Sequence, residues 1–372
     1  MHVLFAGGGT AGHINPALAI AGYLREKHPD AHISYIGTPD KLEAKLVPEK
    51  GYNFRTIEVA GFKRSISPKS IINNVKAVTL AASASVNVRK ILKELQPDVV
   101  VGTGGYVSGP VLREAAKMGI KTAIHEQNAF PGVTTKMLAS HVDAVMLAMP
   151  EAQKYIKLKS KPYITGNPVR RELLNASREE SRRALGLDSR PLLLSFGGSL
   201  GAKYINLAVE GLIKWHNGTG RFYHIHGTGK SGYESMINSL KEDGVTLADE
   251  IDVREYIKNM DECMAAADLV ISRAGAITLS EITALGKPAI LIPSPYVAEN
   301  HQFHNAMTLK RAGAAEIIEE KDLTDKRLIS VVEGLIENEP KLKKMSENAR
   351  EIAITDANER IYEVIMKLYT NA

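Results

Sequence analysis

The first residues able to do chemistry follow an apolar run, Ala267-Asp268-Leu269-Val270-Ile271, that reads as a buried parallel strand. A small-residue turn, Ala274-Gly275-Ala276, comes next, then a helix expected from Ile277 to Leu285. A tight turn feeding a helix aims backbone N–H groups and the positive helix end at whatever lies above the strand, which binds phosphate without a metal. Glu281 falls one helical turn beyond Thr278 on the same face, where a carboxylate can accept both hydroxyls of a ribose. A second strand, Pro288 to Ile292, leads to a polar cluster, Glu299-Asn300-His301-Gln302 with Asn305. One reading is a site for a nucleoside diphosphate carrying a sugar. The other is an ordinary strand–turn–helix whose glycine only permits close packing.

Four further groups stand at strand ends. Gly7-x-Gly9-x-x-Gly12 fits the dinucleotide fingerprint, but the fingerprint wants an acid closing strand two. Here that strand ends Tyr35-Ile36-Gly37-Thr38-Pro39, and the first acid is Asp40, past the proline. His13 follows the last glycine. It either caps the helix start or serves as a general base beside a polar acceptor. Gly102–Pro110 carries Tyr106 and Ser108 on a glycine frame and reads as a loop. His125-Glu126-Gln127-Asn128 sets four polar side chains at a strand end, more than a turn needs. Gly197-Gly198-Ser199-Leu200-Gly201 is a phosphate-sized loop without the Gly-Lys-Ser/Thr ending of a nucleoside triphosphate site. Arg170 can reach the same region or remain a solvated charge.

These groups need a scaffold, and the alternation of short apolar strands with helical patterns supplies one: parallel sheets covered by helices. Strand, Gly-rich loop and helix occur near residue 7 and again near residue 197, so 372 residues divide into two domains. The first spans 1–165 and the second 166–354, with Gly166-Asn167-Pro168-Val169-Arg170 as the linker. Two such halves facing each other leave a cleft at the carboxyl ends of both sheets.

Composition narrows the class. The single cysteine, Cys263, excludes a disulfide framework and a cysteine metal cluster. Met1-His2 runs straight into a strand, so no signal peptide is expected, and no apolar run is long enough to span a membrane. No Asp-x-Asp pair occurs, so no metal site and no cofactor are expected. The net charge of +5 is uneven: residues 1–165 hold 21 Lys/Arg against 12 Asp/Glu. Between Glu58 and Glu94 lie Lys63, Arg64, Lys69, Lys76, Arg89, Lys90 and Lys93 and no acid. Such a field attracts nucleic acid or an anionic membrane.

The ordered motifs Gly8-Gly9-Thr10-Ala11-Gly12-His13-Ile14-Asn15-Pro16, Gly104-Gly105-Tyr106-Val107-Ser108-Gly109-Pro110, His125-Glu126-Gln127-Asn128, Gly166–Arg170, Gly197–Ala202 and Ser272–Ala306 resemble, together and over the whole chain, the MurG family. Ala11 departs from the glycine often found there. The resemblance implies a GT-B fold, two Rossmann-like parallel-sheet domains with a cleft between them, whose last helix (355–372) packs back on the first domain. It implies transfer of N-acetylglucosamine (GlcNAc) from UDP-GlcNAc to the MurNAc 4-hydroxyl of undecaprenyl-linked lipid I, with inversion, giving lipid II for peptidoglycan. Ser199, Ala276, Ile277 and Thr278 would then meet the diphosphate, Glu281 the ribose and the Ile257 backbone the uracil. Gln302 and Asn305 would hold the sugar, and Arg170 would help close the pocket. Thr10, Ala11, Gly12 and Asn128 are also assigned to the donor, though Thr10, Gly12 and Asn128 equally line the acceptor side. Tyr106, Ser108 and His125 would face the acceptor. His13 is the expected base, with Glu126 as the alternative. The basic segment would dock the protein on the cytoplasmic face of the cell membrane as a peripheral enzyme, with no role for nucleic acid. Proteins of the cell-wall and division machinery are candidate partners. Competing readings are a UDP-GlcNAc 2-epimerase, a diacylglycerol glycosyltransferase or a non-catalytic UDP-sugar-binding scaffold.

Overall fold

The computed structural model describes residues 1–59, 84–198 and 200–371. Ser199, Lys63, Arg64, Lys69, Lys76 and the helix expected over Pro68–Leu95 as far as residue 83 lie outside the described residues. The chain forms two compact units: Met1–Pro168 with Asp356–Ala372, and Val169–Thr355.

In the first unit the strands are β1 (His2–Gly7), β2 (His32–Gly37), β3 (Asn53–Thr56), β4 (Val99–Gly104), β5 (Lys121–Glu126), β6 (Ala144–Leu147) and β7 (Tyr163–Ile164). They pair in parallel in the order β3-β2-β1-β4-β5-β6-β7. Successive side chains point to opposite faces of a strand. Leu4 and Ala6 therefore pack with Val100, Val107 and Leu112 on one face, while Val3 and Phe5 pack with Ile20, Val99 and Val101 on the other. A sheet buried on both faces needs unbroken apolar strands, which is why Val99-Val100-Val101 reads as a run rather than an alternation. The second face is also covered by the C-terminal helix Ala357–Thr370, whose Ile361 and Ile365 are fully buried. Each contributes roughly 1.5–3 kcal/mol by leaving water. Tyr23 donates to Glu359 at 2.8 Å, and His28 and Tyr362 bond at 2.7 Å, fixing the helix against Ala11–Lys27.

The second unit repeats the plan with β8 (Leu192–Phe196), β9 (Tyr223–Gly227), β10 (Ile251–Arg254), β11 (Leu269–Ser272), β12 (Ala289–Leu291) and β13 (Ala315–Ile317), ordered β10-β9-β8-β11-β12-β13 and again parallel. The fold class is thus α/β with two Rossmann-like sheets, as the sequence implies. Strand order reverses between β1 and β4 in one sheet and between β8 and β11 in the other, and ligands bind outside the carboxyl ends of strands at such points.

One local expectation changes, and two local features are added. The 102–110 segment is not a loop: β4 runs to Gly104, and a helix, Gly105–Lys117, starts at the next residue. Between Ala6 and Gly7 of β1 the partner on β4 moves from Gly102 to Gly104, so Thr103 is the extra residue as β4 runs to Gly104. The first helix begins at Ala11, so Pro16 sits in its second turn, where it supplies no N–H to the carbonyl four residues back. A short helix, Leu42–Glu49, follows β2 where none was expected.

Candidate functional site

In the first unit the candidate residues gather at the β1/β4 switch point. Thr10 is the extended N-cap of Ala11–Lys27, and Thr10, Ala11 and Gly12 are exposed. The His13 ring lies over the Gly104–Gly105 backbone: a Cβ on Gly104 would stand 2.8 Å from its Cδ2, and one on Gly105 would stand 3.2 Å from its Nδ1. Both glycines hold left-handed φ values, +105° and +76°, which a side chain would also strain. His13 Nδ1 lies 3.1 Å from the carbonyl oxygen of Gly8 and 3.3 Å from Thr10 Oγ1. A carbonyl only accepts, so Nδ1 carries the proton and Nε2 carries the lone pair. Thr103, fully buried, donates to the His13 carbonyl at 2.7 Å and ties the helix start to β4. The Tyr106 ring stands against Gly9, and burial pushes its phenol above the usual tyrosine range.

A residue not singled out from the sequence lies beneath this loop. Glu43 is fully buried on the helix Leu42–Glu49. Its carboxylate accepts from Gly9 N–H at 3.2 Å, Thr38 N–H at 3.2 Å and the Thr38 hydroxyl at 2.8 Å. A Cβ on Gly8 would meet it at 2.3 Å. The first acid to face the glycine loop is therefore Glu43, on the helix after β2 and not closing the strand. An acid at the start of a short apolar stretch, Leu42–Val47, was the available signal.

Three residues assigned to substrates or chemistry in this unit have structural hydrogen-bond partners. Ser108 is fully buried; its hydroxyl donates towards the carbonyls of Ala6 and Gly104 at 2.7 and 2.8 Å and accepts from Gly104 N–H at 3.1 Å. It locks the β4–helix junction and faces no acceptor. His125 is fully buried and donates from Nε2 to the Gly166 carbonyl at 2.9 Å, while Gln127 donates to its Nδ1 at 3.1 Å. Burial lowers its pKa, so it is a neutral strut. Glu126 receives four hydrogen bonds: Asn128 N–H at 3.0 Å, Asn128 Nδ2 at 3.1 Å, Gly132 N–H at 3.0 Å and Thr135 Oγ1 at 2.5 Å. With both oxygens engaged in a 4% exposed position, this carboxylate staples the 126–135 turn. Asn128 is held by the same staple. Of the described basic residues, Arg89 pairs with the buried Glu114 at 3.0 Å, while Lys90 and Val86 stand on the exposed face of helical residues 84–95, whose inner face is Ala84, Val88 and Leu92.

In the second unit the helix Ala276–Ala284 starts one residue earlier than expected, behind an extended Gly275 that brings no capping side chain. Ile277 and Thr278 lie in its first turn. The turn before it is braced from two sides. Arg273 donates to the Ile292 carbonyl at 3.2 Å and pairs with Glu320. Asn305, fully buried, donates to the Ala274 carbonyl at 3.2 Å. Asn305 thus braces the turn through its Nδ2. Glu281 accepts from Arg170 Nε at 2.9 Å, so two residues assigned to one donor are already partners. Gln302 accepts from Ser294 N–H at 2.9 Å, and it follows Glu299 and Asn300, both at positive φ (56° and 50°). Ile257 buries its side chain against Gly227, leaving only its backbone for a ligand. In the 197–202 loop, Gly201 N–H donates to the Gly198 carbonyl at 2.9 Å, and a Cβ on Gly201 would meet the Thr228 carbonyl oxygen at 2.1 Å. Asn206 donates to that same carbonyl at 2.9 Å, a packing role invisible in the sequence motif.

Each unit therefore offers a glycine loop and a helix N-terminus at its switch point, one with an imidazole and one with a carboxylate a turn inside the helix. Known proteins match this chain along its length. Residues 3–147 match the glycosyltransferase family 28 N-terminal domain and residues 192–361 the family's C-terminal domain. The UDP-N-acetylglucosamine–N-acetylmuramyl-(pentapeptide) pyrophosphoryl-undecaprenol N-acetylglucosamine transferase of Acetivibrio thermocellus is 49% identical over 372 residues, 100% of this chain and 99% of that protein. The protein of the same name from Ruminiclostridium cellulolyticum is 46% identical, covering 99% of this chain and 100% of its own. The crystal structure of Acinetobacter baumannii MurG superposes with a TM-score of 0.81 at 28% identity, over 98% of this chain and 99% of that one. The chain belongs to glycosyltransferase family 28 and, within it, to the MurG family.

Proposed function

We propose that this protein transfers GlcNAc from UDP-GlcNAc to the MurNAc 4-hydroxyl of lipid I, making lipid II. The observation that carries this reading is full-length identity of 42–49% to proteins named for that reaction. A 2-epimerase, a lipid glycosyltransferase of another class or a scaffold has no comparable support. Incubation with labelled UDP-GlcNAc and a lipid I analogue tests it: a product one GlcNAc heavier is expected, and UDP-GlcNAc consumed without acceptor would replace it with the epimerase reading.

Inversion takes one in-line displacement. The 4-hydroxyl attacks the anomeric carbon from the face opposite UDP, its proton goes to a base, and the C1–O bond to the diphosphate breaks. His13 Nε2 takes that proton, since Nδ1 is the protonated nitrogen. The charge arriving on UDP falls on the first turn of Ala276–Ala284, where the helix N–H dipoles are already oriented, with the 197–202 loop as the second contact. Glu281 accepts from the ribose, the Ile257 backbone meets the uracil, and Gln302 meets the sugar. Thr10, Ala11, Gly12 and Tyr106 are the groups the first unit offers to substrate. His13→Ala should lose roughly 10²–10⁴-fold in kcat with UDP-GlcNAc affinity retained, and wild-type turnover would remove His13 from the role.

The acceptor carries a lipid, and we place the enzyme peripherally on an anionic cytoplasmic leaflet through the basic, acid-free 59–93 segment. Among the described residues no helix is long and apolar enough to cross a membrane. Val86 and Lys90 share an exposed helix face, as a docking surface requires. Binding to anionic liposomes should fall with salt and with Lys90→Glu, and equal binding to neutral vesicles would contradict it.

A further inference from the structure

The Gly8–Gly9 peptide is bonded at both ends. Its N–H, on Gly9, donates to Glu43 Oε2 at 3.2 Å, and its C=O, on Gly8, accepts from His13 Nδ1 at 3.1 Å. A trans peptide directs these groups to opposite sides, so carboxylate, peptide and imidazole form one chain. A hydrogen bond to the N–H of an amide polarises it and strengthens acceptance at its C=O. The packing enforces the arrangement: Gly8 has no room for a Cβ because of the Glu43 carboxylate, and Gly105 has none because of the Gly8 carbonyl, at 2.3 Å each. Glu43 is fully buried, and Thr38 bonds its other oxygen through both N–H and hydroxyl.

We propose that Glu43 is a positioning residue for His13, acting through the Gly8–Gly9 peptide to hold the imidazole as the Nδ1–H form with Nε2 as proton acceptor. This rests on the reading of His13 as the base. It gives the imidazole what a buried carboxylate gives the histidine of a hydrolase triad, at one peptide's remove. As the hydroxyl proton arrives at Nε2, the positive ring gains from the polarised carbonyl and the negative charge behind it. Among the described residues, the other titratable groups around the loop are Tyr35, which donates to the Gly7 carbonyl at 3.0 Å, Tyr106 against Gly9, and the exposed Asp40–Lys41 pair acting on Tyr106. The pair's charges cancel and both phenols are pushed upward by burial, so Glu43 is the charge that biases His13.

The test is ¹⁵N NMR of histidine-labelled full-length protein, with the His13 signals assigned by their loss in His13→Asn, joined to pH–rate profiles. In wild type the neutral His13 ring should be Nδ1-protonated. In Glu43→Gln the His13 titration and the acid limb of kcat should both move to lower pH. The same variant's kcat should fall roughly 10- to 100-fold, as for outer-shell partners that orient a histidine, with KM for UDP-GlcNAc unchanged. Glu43→Asp, which keeps the charge, should recover part of both. A wild-type Nε2–H tautomer, or a titration unmoved in Glu43→Gln, overturns the proposal. Should Glu43→Gln fail to fold, the wild-type tautomer still decides, together with Thr38→Val, which leaves the carboxylate with one donor fewer and should move the titration upward; a downward or absent shift overturns it. Wild-type turnover by His13→Ala would defeat the base assignment instead, while the NMR arms still read the link to Glu43.

Discussion

His13 and Glu281 carry opposite chemistry on similar local frames, and their neighbours decide what each can do. His13 is fixed by a carbonyl at Nδ1, so its other nitrogen is the acceptor. Glu281, itself largely buried, is held by the half-exposed Arg170 at 2.9 Å, so ribose hydroxyls would have to share or displace that partner. Glu281→Ala should weaken UDP-GlcNAc binding roughly 10- to 100-fold, the ~1.5–3 kcal/mol carried by hydrogen bonds to a charged group. Calorimetry with UDP-GlcNAc and its 2′-deoxy analogue checks this: wild type should discriminate and the variant should not. The sequence motifs led to both residues because each follows a glycine turn at a strand end. They did not show that Glu126, Ser108, His125 and Asn305 are buried, since a polar residue at a strand end is as well suited to staple a turn as to meet a ligand. Only burial and hydrogen-bond partners distinguish the two. Glu43 escaped notice for the converse reason: its helix is short, contains Pro48 and lacks a periodic apolar face long enough to read.

At the level of elements, the parallel strands were legible because burial on both faces leaves continuous apolar runs, and the glycine loops because left-handed φ values demand them. The start of the Gly105–Lys117 helix was not, because Gly104-Gly105 looks like a loop and its dihedrals depend on the partner strand. The same helix provides an internal comparison. Gly105 opens it and Gly119, one residue past the C-cap Met118, closes it, both at φ +76°. Nothing lies within 4 Å of a Cβ on Gly119, whereas one on Gly105 meets the Gly8 carbonyl oxygen at 2.3 Å. Gly119→Ala should therefore cost only the left-handed strain, about 1–2 kcal/mol, and keep kcat. Gly105→Ala should cost more and lose turnover by displacing the His13 cradle. Equal melting temperatures and equal kcat for the two variants would show that the close approach at Gly105 does not matter.

For the whole molecule, the second unit carries a pH liability unrelated to catalysis. His216, His224, Ser195 and His226 form a buried chain with contacts of 3.1, 2.8 and 2.7 Å. Burial lowers all three histidines, His216 and His226 to about 4 and His224 well below its usual value. Their folded pKa values lie below the unfolded value of 6.5, so the unfolded chain binds more protons between them. Stability is then fully present above pH 6.5 and falls as pH drops towards 4, by up to about 1.4 kcal/mol per pH unit for each histidine. Trp215, the single tryptophan, lies on the helix Lys203–His216 and reports this unit in urea titrations. The midpoint should fall between pH 7 and 5, and less so in His226→Phe; a flat midpoint would contradict the assignment of neutral buried rings.

The account as a whole stands on GlcNAc transfer with His13 as proton acceptor. The most direct measurement is single-turnover reaction of UDP-GlcNAc with a lipid I analogue, wild type beside His13→Ala, with the product identified by mass and donor affinity measured on the same preparations. The account predicts a lipid II analogue from wild type, a rate lower by roughly 10²–10⁴-fold in His13→Ala and unchanged donor binding. Equal rates from the two proteins, or no GlcNAc-extended product from wild type, would contradict it.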